Sequence, residues 1–98
     1  MTHRHEFLDE AKAALFDRGR AYGHPAVNHQ RIANLWGTFL EYPIKAEHVA
    51  ICMALVKIAR IIETPDHEDS YLDLVAYSAI AGELATMNRE DFNADYQG

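Results

Sequence analysis

At 98 residues the chain has room for one domain and no second, since single domains commonly run to roughly 100–150 residues. A formal net charge of −6, with nine lysines and arginines scattered without a basic run, leaves no phosphate-backbone footprint and excludes duplex DNA or RNA as an expected partner. The 49% hydrophobic share can form a core, but so short a chain buries a modest part of its surface, and a homodimer or higher oligomer is the expectation.

Helical periodicity recurs along the chain and no strand alternation is sustained. Phe7, Leu8, Ala11, Ala14 and Leu15 form one stripe over Arg4 to Asp17, an amphipathic helix that Gly19 is expected to close. Arg20-Ala21-Tyr22-Gly23-His24-Pro25 then reads as a loop, because Gly23 permits unusual dihedrals and Pro25 pushes His24 toward an extended conformation. A second helix is expected from Val27 or Asn28 to Glu41, with Ile32, Leu35, Trp36, Phe39 and Leu40 on its apolar face and Pro43 as its stop. The third runs from about Lys45 to Glu63 and is apolar on nearly every face up to Val56, which predicts the central, most buried helix. The fourth opens after Pro65 with Asp66 as its expected N-cap and carries Leu72, Val75, Ala76, Ala79, Ile80 and Leu84 down to about Met87. The reading is therefore one all-α domain over 1–98, with a four-helix core over 4–88 and a polar, acidic tail over 89–98 that holds Phe92 and Tyr96.

The third and fourth helices, joined across Thr64-Pro65-Asp66, are expected to form an antiparallel hairpin. Residues equidistant from the turn then face each other, so Lys57 meets Asp73 and Arg60 meets Asp69 or Ser70. Charges in so apolar a setting must be paired, or each costs several kcal/mol. Besides simple surface exposure of these charges, two readings stay open at this point. The seam is a polar clamp that fixes the register, or it is a site in which Asp69 and Asp73 hold a divalent cation while Lys57 and Arg60 hold phosphate.

The 20–25 segment offers a second ligand-capable group. Arg20 can fork onto phosphate, Tyr22 can stack on a base, Gly23 allows close backbone approach and His24 carries a titratable nitrogen; as a connector, the same segment would pack Tyr22 and His24 on the core. Cys52 is the only cysteine, so neither an intrachain disulfide nor a paired-cysteine zinc motif can form, and its apolar neighbours predict a buried, unreactive thiol. The six histidines lack zinc-ligand spacing on a firm element, and no P-loop, nucleophile elbow or dinucleotide fingerprint occurs. Met1 to Glu6 has no apolar signal core, and no run approaches the ~20 apolar residues of a membrane span. A soluble, cytoplasmic protein without a membrane partner is expected.

The ordered motifs Arg20-Ala21-Tyr22-Gly23-His24-Pro25 with Asn28, Ile32-Ala33-Asn34-Leu35-Trp36, Met53 through Arg60, His67-Glu68-Asp69-Ser70 and Asp73-Leu74-Val75-Ala76-Tyr77 resemble a small phage and prophage family of undetermined function. Its members are often labelled MazG-like, that is, similar to the all-α nucleoside triphosphate pyrophosphohydrolases, and the resemblance covers about residues 8 to 85. It implies Mg²⁺ on helix-borne carboxylates that bridges substrate phosphates. Asp69, Ser70 and Asp73 match part of the second acidic motif, whereas Lys57 and Arg60 stand where the first would place carboxylates.

Together these features point to a nucleotide-handling protein of a phage-infected bacterial cytoplasm. Arg20, Tyr22, Gly23, His24, Lys57 and Arg60 would bind the ligand, with Asp69 and Asp73 as metal ligands. In an enzyme, Asp69, Asp73 and Lys57 would carry Mg-dependent pyrophosphohydrolysis. A sequestering module that binds nucleotide without chemistry, and a purely structural helical oligomer, are the alternatives.

Overall fold

A computed structural model describes residues 1–87, apart from the side chain of Tyr22. The expected tail, with Phe92 and Tyr96, lies outside the described residues. These form four α-helices and no strand: α1 (Arg4–Tyr22), α2 (Pro25–Leu40), α3 (Ala46–Glu63) and α4 (Glu68–Thr86). α3 and α4 make the antiparallel hairpin at the centre; α1 lies against α4 and α2 against α3.

α1 does not stop at Gly19. It continues through Arg20 and Ala21 to Tyr22, and Gly23, with φ 80° and ψ −168°, ends it by donating its N–H to the Gly19 carbonyl at 3.0 Å. Glycine can adopt that dihedral pair and L-residues cannot do so without strain. α2 begins at once, two or three residues earlier than the apolar pattern suggested. Pro25 sits at its first position, where a missing N–H costs nothing, and the Nδ1 of His24 caps it by accepting from the Ala26 N–H at 3.0 Å. The stretch expected to be a loop is thus the end of one helix, a glycine hinge and the start of the next.

α2 ends at Leu40 and is capped by Glu41, which adopts the left-handed conformation at φ 54°. Gly37 leaves room for the chain to double back, since a Cβ there would lie 3.1 Å from the Tyr42 carbonyl oxygen. At the hairpin turn the N-cap of α4 is His67 and not Asp66. The His67 ring bonds the hydroxyl of buried Ser70 at 2.8 Å, and the Tyr71 hydroxyl donates to the Pro65 carbonyl at 2.5 Å.

Ala11, Ala26, Ala33, Ala50 and Ala76, with Val49 and Ile80, form the core. Alanines let helix axes approach closely, but each buries little apolar area, so the hydrophobic stabilisation per contact is small. α3 is correspondingly less buried than its composition suggested. Val49 and Ala50 are covered, yet Ile51, Leu55, Val56, Ile58 and Ile62 are exposed, as is Cys52, whose thiol is not enclosed. Composition had marked the residues that favour burial; α2 and α4 cover only one side of the helix.

Gly19 and Gly23 make opposite predictions. A Cβ at either meets no atom within 4 Å, so backbone conformation alone decides. Gly19→Ala, inside α1, should stabilise by about 0.5–1 kcal/mol, and Gly23→Ala, at its positive φ, should cost about 1–3 kcal/mol. Urea unfolding of the two variants checks the difference in sign.

Candidate functional site

Asp73 is the centre of the charged seam. Its Oδ2 lies 3.0 Å from Lys57 Nζ on α3 and its Oδ1 lies 3.0 Å from Arg18 Nη2 on α1, so one carboxylate joins three helices. The Asp73 and Lys57 side chains are 16% and 15% exposed, and Arg18 is 40% exposed. Burial by itself raises the pKa of Asp73. Hydrogen bonding and charge from Lys57, and then from Arg18, outweigh it and hold the carboxyl below its ordinary range. Arg18 also stands over Tyr77, its guanidinium carbon 5.8 Å from the ring centroid. Tyr77 follows Asp73 by one turn of α4, so Arg18 spans a carboxylate and an aromatic face on the same helix.

Beside this cluster is a pocket of about 360 Å³. Arg18 and Tyr77 line one part of it and the Gly23-Pro25 hinge another, with Asn28 and buried His29 as further polar groups and Leu15 and Ile80 as apolar wall. The hinge therefore reaches the Asp73 end of the seam within one chain, through Arg18. His29 is held by its Nδ1, 2.9 Å from the Pro25 carbonyl.

The residues expected at the site divide. Lys57 and Asp73 meet. Arg60 and Asp69 are exposed and, among the described residues, neither makes an ion pair within 4 Å. The Lys57–Asp73 register places Arg60 opposite Ser70, which is buried and already bonded to His67. Arg20 is exposed on the last turn of α1, where a cation complements the helix dipole, and Arg18, two residues earlier, is the arginine that enters the seam. His24 uses both ring nitrogens: Nδ1 accepts from Ala26 and Nε2 lies 3.2 Å from Glu83 Oε1 on α4. That pattern suits the tautomer with hydrogen on Nε2, and it makes His24 a clasp between α2 and α4. The side chain of Tyr22 is outside the described residues, so its expected stacking role is not placed.

Sequence reasoning passed over Arg18 because it closed α1 too early. The signal was present: Phe7, Ala11, Ala14 and Arg18 fall on one helical face, so a continued helix carries the arginine inward. For Asp69 and Asp73 to hold Mg²⁺ as a pair, the ion would have to displace Lys57 or Arg18 from Asp73. Both Asp73 oxygens already accept from cations, and among the described residues no group of three His, Cys, Asp or Glu side chains is arranged to hold a metal ion.

The seam has a measurable acid signature. A folded pKa below the unfolded value stabilises above about 4, where an unfolded aspartate titrates, and that contribution is lost as pH falls through the depressed folded value. Urea midpoints measured across the acid range should fall in the parent, and Asp73→Asn should flatten that part of the curve. In a double-mutant cycle, Lys57→Met and Asp73→Leu should each cost about 2 kcal/mol, between exposed and buried pairs. The double variant should recover much of the loss, because Arg18 is exposed enough to be solvated; additive losses would contradict the coupling.

Residues 6–85 match the family described as "Domain of unknown function (DUF6378)". The Gene 55 protein of Mycobacterium phage L5 is 39% identical over 64 residues, which cover 64% of this chain and 41% of the relative. The Gene 55 protein of Mycobacterium phage D29 is 40% identical over 72 residues, covering 72% of this chain and 48% of the relative. The chain thus spans less than half the length of these curated relatives. No solved structure matches. No helix among the described residues is long and apolar enough to cross a membrane. The matches carry the phage part of the resemblance and not the pyrophosphohydrolase-like label. The two phage proteins resemble this chain over the shared segment, and the chain belongs to this family of unknown function.

Proposed function

We propose that the domain binds a phosphorylated nucleotide in the pocket between the Gly23 hinge and α4, with Arg18 as the phosphate-binding arm and Tyr77 as the aromatic wall. The observation that supports this most is the sharing of Asp73 by two cations. Arg18, Lys57 and Asp73 together carry a net charge of +1 beside the pocket. Lys57 keeps Asp73 paired when Arg18 leaves it, so Arg18 can turn to a ligand phosphate without stranding a buried carboxylate. The volume of about 360 Å³ falls within the roughly 300–1,000 Å³ of small-molecule sites. The first amides of α2 are used internally, Ala26 N–H by His24 Nδ1 and Val27 N–H by the His24 carbonyl at 3.2 Å, which leaves the charged contact to Arg18.

Binding without hydrolysis is the favoured form of this reading, because Mg²⁺ on Asp69 and Asp73 would have to compete with Lys57 and Arg18 for the same oxygens. Calorimetric titration with a panel of ribo- and deoxynucleoside triphosphates, with and without Mg²⁺, tests it alongside an assay for released pyrophosphate. Saturable binding of unchanged nucleotide is expected, weakened by salt. Tyr77→Ala should lose roughly 1–3 kcal/mol of stacking and Arg18→Ala should bind at least ~10-fold more weakly. Absence of binding, or binding indifferent to Arg18, contradicts the proposal. Pyrophosphate release abolished by Asp69→Asn would restore the Mg-dependent hydrolase.

A further inference from the structure

The outward face of α3 carries Ile51, Leu55, Ile58 and Ile62, between 41% and 77% exposed. Their spacing of four, three and four residues puts them on one stripe, about 17 Å long at 1.5 Å per residue. From His48 to Ala59 the only charged residue is Lys57, and it is turned inward to Asp73. A chain of net charge −6 repels its own copies over most of its surface; on this stripe it does not.

We infer that the stripe docks a second copy of this chain, α3 against α3, antiparallel about a two-fold axis. The spacing reads the same in both directions, so an antiparallel copy sets Ile51 against the partner's Ile62 and Leu55 against the partner's Ile58. This is the self-complementarity that a two-fold interface requires. The ends of the helix select the direction. At the N-terminal end exposed Lys45 is offset by Glu47 in the first turn, while at the C-terminal end exposed Glu63, Asp66, Glu68 and Asp69 outnumber Arg60 and leave a net charge of −3. A parallel pair would bring the two acidic ends together; the antiparallel pair sets each acidic end against the partner's near-neutral N-terminal end. The stripe is on the side of α3 away from Lys57 and the pocket, so this interface stands independently of nucleotide binding.

Light scattering of the full chain at micromolar concentration should give twice the 11.1 kDa chain mass. Leu55→Glu and Ile62→Glu should each give the single-chain mass with helical circular dichroism retained, since both side chains are exposed. Direction is read in a Cys52→Ser background carrying either Ile51→Cys or Ile62→Cys. Mixing the two variants under oxidation should yield cross-linked pairs, whereas neither variant alone should. A single-chain mass for the parent, a dimer that survives both glutamate substitutions, or self-cross-linking of either cysteine variant overturns the inference.

Discussion

A carboxylate withdrawn from water has to be paired, and at Asp73 that requirement is met from two directions. Lys57 satisfies one oxygen from α3 and Arg18 the other from α1. In a core built largely of alanine, which contributes little apolar area per contact, this three-helix junction sets the register of the hairpin and the seating of α1. The path of the chain follows from it. With Arg18 fixed, α1 continues four residues further, Gly23 turns the chain, Pro25 starts α2, and His24 ties that start to Glu83 on α4.

The same junction gives the proposed site its chemistry. One acid shared by two cations leaves an excess of positive charge beside a pocket, and leaves one of the cations replaceable. Arg18 is the more exposed of the two and has Tyr77 beneath it, so its displacement toward a ligand costs less than that of Lys57. On the proposed reading, such a site suits capture of an anion more readily than cleavage of one.

Four helices and the hairpin were legible because prolines and glycines punctuate a strongly periodic sequence, and Lys57 and Asp73 could be paired because they lie equally far from Pro65. The end of α1 was not. Gly19 reads locally as a stop, but the interior cost of one glycine, about 1 kcal/mol, is offset by the anchoring of Arg18, which is a tertiary effect. His24 as an N-cap escaped notice because Ser, Thr, Asp and Asn are the usual caps. Helical spacing does not fix depth: one turn from Lys57 or Asp73, Arg60 and Asp69 each already face water. The openness of α3 and of Cys52 was illegible for a related reason, since apolarity says what a residue favours and not which element arrives to cover it.

The most direct measurement is a nuclear magnetic resonance titration of the full, isotope-labelled chain with a nucleoside triphosphate, following Arg18, Tyr77 and the Gly23 amide. If Arg18 exchanges Asp73 for a phosphate, its guanidinium resonances should shift together with the Tyr77 ring and the Gly23 amide and saturate at one ligand concentration. The Asp73 carboxyl should stay ionised through its contact with Lys57. Unchanged Arg18 and Tyr77 resonances at saturating nucleotide, or shifts confined to surfaces away from the Gly23 hinge, would contradict the account.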